Sequence, residues 1–239
     1  MTVTGTWRPA RLVARHAQTA TARTLVLDTP NWPGHLPGQH IDVRLTGEDG
    51  YQAVRSYSLA APTTEDRLEL GIQPVPRGEV SPYLADDLPL GAQVEITGPL
   101  GGWFVWRPGD AAAVLLVAGG SGIVPLMAMV RAHQAAKSTT PFHLVYSVRS
   151  PDQAWYQKEL ASGSGPLTVD VLYSRQAPSG NGRPAGRIRA DDLPAPARPD
   201  LAPGPQCFVC GPTPFVEHVS DVLVAKGHLP GHIRTERFG

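Results

Sequence analysis

Short runs with the composition of β-strands, separated by turn residues, fill the N-terminal part of the chain: Thr6 to Ala14, Thr24 to Leu27, His40 to Leu45, Gln52 to Leu59, Leu68 to Val75 and Gln93 to Thr97. That pattern predicts a small antiparallel barrel. After Gly98-Pro99-Leu100-Gly101-Gly102 the pattern changes. Val114-Leu115-Leu116-Val117-Ala118 is apolar throughout, as expected of a strand buried on both faces of a parallel sheet. Ile123, Leu126, Met127, Val130 and Ala135 then fall near helical spacing over Ile123 to Ala136. Strands starting at Val114, Phe142, Leu167 and Gln206 alternate with helices near Ile123, Gln153 and Thr213, which predicts a parallel α/β sheet with ligands at its strand C-termini. The fold class is therefore a β barrel followed by an α/β domain. The boundary falls near Trp106 to Asp110, giving domains 1–106 and 107–239.

Composition narrows the function classes. Lys plus Arg and Asp plus Glu are 21 each in 239 residues, and no polybasic run points to nucleic acid or to a membrane surface. No apolar stretch is long enough to span a bilayer and no signal peptide is evident, so a cytoplasmic, monomeric protein is expected. The segment Ala177 to Pro205, rich in Pro, Gly, Ala and Arg, reads as a surface excursion with little order.

Three short segments carry chemistry. In Arg55-Ser56-Tyr57-Ser58 a strand turns Arg55 and Tyr57 to one face and Ser56 and Ser58 to the other. A guanidinium fork suits a phosphate, a Tyr ring suits an aromatic heterocycle, and a hydroxyl donates or accepts. The second segment, Gly119-Gly120-Ser121-Gly122-Ile123-Val124-Pro125, is a glycine turn between an apolar strand and a helix start. There free N–H groups and the helix dipole favour pyrophosphate, and Pro125 is tolerated in a first helical turn. It is not the GxGxxG fingerprint, and a turn that simply needs small residues is the competing reading.

In the third, Cys207-Phe208-Val209-Cys210-Gly211-Pro212, a strand runs into a helix from Thr213 to about Lys226. Cysteines three apart on a strand face opposite sides, so a disulfide or a metal site is a poor reading, and no metal is expected. Two buried thiols, or one functional thiol at Cys210, remain open.

Taken together and in this order, the segments resemble the ferredoxin-NADP reductase superfamily over nearly the whole chain, from Leu36-Pro37-Gly38-Gln39-His40 to Thr235-Glu236-Arg237-Phe238-Gly239. The resemblance implies an FAD-binding barrel (1–106) and an NAD(P)-binding domain (107–239). It implies that Arg55 holds flavin phosphate, Tyr57 packs along the isoalloxazine and Ser58 bonds its N5 edge, with Ser56 in the same strand. Gly78-Glu79-Val80-Ser81 matches a second phosphate element, where a helix from Val80 to Asp87 aims its N-terminus at the pyrophosphate; a plain N-cap serine is the alternative.

Gly119, Gly120, Ser121, Gly122 and Pro125 match the nucleotide turn, while Cys210, Gly211 and Pro212 match the border of the nicotinamide site. Ser58, Cys210 and Glu236 are the expected catalytic residues. Phe238 resembles the terminal aromatic that covers the isoalloxazine; a frayed, idle C-terminus is its alternative. Arg149, Arg175 and Arg187 match the positions that clamp a 2'-phosphate, which favours NADPH, with NADH still open.

The match has departures. Ile72-Gln73-Pro74 stands where relatives often carry a basic residue, so FMN remains an alternative to FAD. Two cysteines cannot supply the four ligands of an iron-sulfur cluster, so electrons are expected to leave for a separate one-electron carrier such as a ferredoxin, or for an oxygenase component. The implied activity is hydride transfer from NAD(P)H to flavin and onward delivery of single electrons. A noncatalytic flavin-binding redox sensor is the competing class, and a pure NAD(P)-binding protein leaves the barrel and the RSYS strand unexplained.

Overall fold

The structure, a computed structural model, describes residues 6–64, 66–162, 166–196 and 204–238. In its first part β1 (Arg8–Ala17), β2 (Arg23–Asp28), β3 (His40–Thr46), β4 (Gln52–Ser58), β5 (Arg67–Ile72) and β6 (Gln93–Leu100) form an antiparallel sheet in the order β4-β3-β6-β1-β2-β5. Alternate side chains turn inward, so Leu12, Leu25, Leu27, Ile41, Val43, Leu68, Leu70 and Ile96 share one buried core. The sheet curls until its edges meet at the isolated Leu59–Leu70 bridge. That bridge lies just beyond β4, so among the described residues β4 itself keeps one backbone edge without a strand partner. A helix, α1 (Val80–Pro82), runs on into a π-helical turn at Tyr83–Asp87 and closes the barrel with Val80, Leu84 and Ala85. Arg15 on β1 donates to the carbonyls of Leu84, Asp86 and Leu88, groups that a helix end leaves without partners.

The second part holds β7 (Val114–Gly119), α2 (Ile123–Ala135), β8 (Phe142–Val148), α3 (Gln157–Ala161), β9 (Leu167–Tyr173), β10 (Gln206–Pro212), α4 (Thr213–Ala225) and β11 (Ile233–Phe238). Its parallel sheet has the order β11-β10-β7-β8-β9. Leu116, Ala118, Phe208 and Cys210 face the core under α2, while Leu115, Val117, Cys207 and Val209 face the core under α4. Both faces are covered, which is why β7 carries no polar residue.

Several elements differ from expectation for identifiable reasons. β1 starts later and runs to Ala17, with a bulge between Leu12 and Ala14. β5 stops at Ile72, just before Pro74, whose missing N–H cannot continue a ladder. The expected helix near Gln153 is a 3-10 turn at Pro151–Gln153. Its continuation is delayed to Gln157 by Tyr156, which sits in the left-handed region at φ 55°. The last strand, β11, was not anticipated from the sequence.

The expected loose excursion is also corrected. In its described part Ile188 and Leu193 are buried, and Arg183 grips Asp192 through two contacts of 2.5 and 2.6 Å. Burial pushes the Asp192 carboxyl up, but the hydrogen bonds from Arg183 and the Arg189 backbone outweigh it and hold the pKa low. Residues 197–203 of that segment lie outside the described ones.

Candidate functional site

One row of side chains runs across the junction of the two parts. β4 pairs with β3 so that Ser58 stands opposite His40 and Ser56 opposite Asp42. Across the junction, β10 pairs with β11 so that Cys210 stands beside Glu236 and Pro212 beside Phe238. The Ser58 hydroxyl donates to Glu236 Oε1 at 3.0 Å, joining residues 178 positions apart in the chain. Three residues singled out separately in the sequence, Ser58, Cys210 and Glu236, thus come together.

Their protonation follows from where they sit. Burial pushes the Glu236 carboxyl above the usual carboxylate range, and the Ser58 hydrogen bond only partly opposes it. The Cys210 thiol is driven well up, by burial first and by the Glu236 charge second. It remains a neutral S–H with no thiolate chemistry to offer. Cys207 is a free, buried thiol on the opposite face, 3.4 Å from His228 Nδ1, and no disulfide joins the pair.

The open edge of the barrel carries the residues expected to meet phosphate and ring. Arg55 is exposed, and among the described residues its guanidinium donates only to the carbonyl of its neighbour Val54, at 2.7 Å. Tyr57 lies on the same face, packed against the barrel core, and burial raises its phenol to about 12 against the opposing Arg55 charge. Ser56 has a protein partner of its own. It turns to the other face, where its hydroxyl donates to Asp42 Oδ1 at 2.5 Å.

In the Gly78–Ser81 turn, Gly78 N–H bonds the Val75 carbonyl and Val75 N–H bonds Ser81 Oγ, so the serine closes the loop and keeps its own proton to donate. Glu79 is at the N-cap and no side chain caps this helix start, so Ser81 is not an N-cap serine and the N–H groups of the first turn have no side-chain cap. An exposed guanidinium, a flat phenol, an unpaired strand edge and uncapped helix N–H groups fit an FAD.

The glycine turn divides its labour. A Cβ on Gly119 would lie 2.7 Å from the Phe215 ring, and one on Gly211 would meet the same ring at 2.7 Å. A Cβ on Gly122 would run into the Cys210 carbonyl. These three glycines are closely packed between the ends of β7 and β10, which accords with a turn that needs small residues. Gly120, at φ +56° with open space around it, sets the turn itself. Ser121 follows in a 3-10 turn, and Pro125 is buried in the first turn of α2. Neither α2 nor α4 has a side-chain cap, and both helix N-termini open at the same edge of the sheet, which fits a nucleotide pyrophosphate.

Arg149 follows β8 and Arg175 follows β9, and Arg175 N–H bonds the Arg149 carbonyl at 3.0 Å. Arg187 is tied in by Arg183, which donates to its carbonyl at 2.7 Å. All three guanidiniums are exposed, and none forms an ion pair among the described residues. At the other end of the site β11 is paired through Phe238, so the frayed terminus is not seen; the ring is 38% exposed and shares a face with Glu236.

Sequence reasoning passed over Arg131, which joins the two parts. Its only signal was a lone charge inside the apolar run of α2.

Comparison with known proteins accords with this geometry. The family model for oxidoreductase FAD-binding domains matches residues 9–105, and that for oxidoreductase NAD-binding domains matches residues 116–221. The ferredoxin–NAD(P)+ reductase component of the naphthalene 1,2-dioxygenase/salicylate 5-hydroxylase systems of a Ralstonia species is 35% identical over 206 residues, covering 84% of this chain and 60% of that protein. Ferredoxin–NADP reductase B of Sorangium cellulosum is 32% identical over 241 residues, 96% of each chain. The solved ferredoxin reductase of carbazole 1,9a-dioxygenase superposes with a TM-score of 0.83 at 28% identity, covering 100% of this chain and 70% of that one. The chain spans between 55% and 62% of the length of the first curated relatives it matches.

Proposed function

The chain belongs to the ferredoxin-NADP reductase superfamily, and from that premise we propose that it takes hydride from NAD(P)H onto its flavin and passes electrons to a separate protein. The observation that carries this reading is the Ser58–Glu236 hydrogen bond, with Cys210 beside it, at the place where the flavin edge and the nucleotide edge face each other. FAD, when bound, supplies two-electron chemistry toward nicotinamide and one-electron chemistry toward a carrier.

The residues supply position and charge. Arg55 and the uncapped N–H groups at Val80 hold phosphate, Tyr57 sets the ring plane, and Ser58 orients the N5 edge. Glu236, with its raised pKa, holds a proton next to that hydroxyl at neutral pH more readily than an exposed glutamate does. Cys210 fills the wall of the nicotinamide site as a neutral thiol, and Phe238 lies over the same face.

Two further details belong to the proposal. The unpaired Arg149, Arg175 and Arg187 favour a 2'-phosphate and hence NADPH over NADH. The relatives named as reductase components of oxygenase systems support an electron carrier or an oxygenase component as acceptor.

Anaerobic titration of the flavin-loaded protein tests the reading. NADPH is expected to bleach the flavin, and the Arg149→Ala/Arg175→Ala variant to lose far more efficiency with NADPH than with NADH. Flavin that neither nucleotide bleaches would instead make this a flavin-binding sensor. Equal losses with both nucleotides would remove the phosphate role of the arginines.

A further inference from the structure

Arg131 lies in the last part of α2, and its guanidinium reaches four acceptor atoms. Nε and Nη2 hold both carboxylate oxygens of Glu159, just before the end of α3, at 2.7 Å each. Nη1 reaches Glu69 Oε2 on β5 at 2.7 Å and the Ala60 carbonyl at 3.1 Å. Glu69 and Ala60 belong to the barrel and Glu159 to the nucleotide-binding part. Among the described residues Arg131–Glu69 is the only ion pair that crosses the junction. Packing around it is close: a Cβ on Gly71 of β5 would collide with Val124 of α2 and lie 2.9 Å from the Trp155 ring. Tyr156, over whose ring the Arg131 guanidinium lies, donates its backbone N–H to Gln18 Oε1 on the barrel at 3.1 Å.

The positions along the chain give this clamp a consequence for the chemistry. Ala60 lies two residues beyond Ser58 in the flavin strand. Arg131 lies on the helix whose N-terminus carries the glycine turn. One guanidinium thus ties the exit of the flavin strand to the helix that presents the nucleotide. At 1.5 Å of rise per residue, the stretch from Gly122 to Arg131 is a lever of roughly 13 Å, so a tilt of about 5° at the clamp moves the glycine turn by roughly 1 Å. A displacement of about 1 Å between reacting groups is enough to slow a reaction on the order of a hundredfold.

Resting on the functional reading above, we propose that Arg131 is a positioning residue for hydride transfer: through Glu69 and Ala60 it fixes the tilt of α2 against the barrel and so the approach of nicotinamide to flavin. Lysine keeps the charge but has no fork with which to hold a carboxylate bidentately and reach two further acceptors. Glu69→Gln weakens the contact across the junction and leaves the Arg131–Glu159 pair within the nucleotide-binding part.

The test is anaerobic stopped-flow reduction of the flavin-loaded protein at saturating nucleotide, using whichever of NADPH and NADH reduces the wild type faster. Arg131→Lys and Glu69→Gln are expected to lower the saturated rate at least about tenfold, with flavin content and nucleotide Kd within about twofold of wild type. Glu159→Gln is expected to lower it less than Glu69→Gln does. Should Arg131→Lys fail to fold, Glu69→Gln carries the test alone. A saturated rate within about twofold of wild type in Glu69→Gln, or a fall that merely follows lost flavin or weaker nucleotide binding, overturns the proposal. A wild type that neither nucleotide reduces refutes the functional reading first, and the positioning role with it.

Discussion

Among the described residues Arg55 has no acidic partner, and the one acceptor it donates to is the carbonyl of the residue before it. A guanidinium left exposed in this way on an otherwise alternating strand is available to a ligand phosphate. Removing a charged hydrogen-bond partner of that kind typically costs about 1.5–3 kcal/mol. Arg55→Ala is therefore expected to weaken flavin binding by that amount and to lose flavin on gel filtration, while wild-type retention would reject the phosphate contact.

Arg55, Ser58, Cys210 and Glu236 could be singled out as candidates because they stand in short ordered segments that resemble a family pattern, which needs no knowledge of the contacts made on folding. Arg131 was not legible, since Ala60, Glu69 and Glu159 come from three separate elements and only folding brings them to one guanidinium. The partner of Ser56 was hidden for a related reason. The face of the serine was predicted correctly, but the carboxylate waiting there, Asp42, belongs to the neighbouring strand.

Among the elements, the loop leading into β3 depends on one imidazole. His35 Nδ1 lies 3.1 Å from Trp32 Nε1 and 2.6 Å from the Thr63 hydroxyl, both donors, while Nε2–H donates to the Ala61 carbonyl at 2.7 Å. This arrangement needs the neutral ring. Burial lowers the His35 pKa below its ordinary 6.5, with the Ala61 hydrogen bond acting in the opposite direction. The unfolded chain then takes up a proton near pH 6.5 that the folded chain still refuses. Stability from this group is complete above that pH and declines as pH falls toward the lowered folded value, by at most about 1.4 kcal/mol per pH unit for one proton. The urea midpoint is expected to drop between pH 7 and pH 5.5, and to drop less in His35→Gln. Equal pH dependence in the two proteins would contradict this role.

The strands β8 and β9 were readable to the residue because both faces are apolar or regularly patterned. β11 was not, because Ile233–Phe238 carries two arginines and a glutamate and is half-exposed on an edge. Its identity as a strand comes from pairing with β10 rather than from its own composition.

At the scale of the whole molecule, a barrel with one open edge and a parallel sheet with two uncapped helix N-termini are held face to face by Arg131, by the close packing at Gly71, and by the Ser58–Glu236 bond. Among the described residues no helix is long and apolar enough to cross a membrane. The row Ser58, Glu236 and Cys210 is the proposed meeting place of nicotinamide and flavin. Substituting the buried Cys210 thiol by a methyl group leaves Arg55 and the Gly78–Ser81 turn untouched and changes the side chains only at this row. The most direct measurement is the anaerobic single-turnover rate of flavin reduction at saturating NAD(P)H in Cys210→Ala beside wild type. A rate at least about tenfold lower, with flavin content unchanged, is the predicted result, and an unchanged rate would contradict the assignment of this row as the hydride-transfer site.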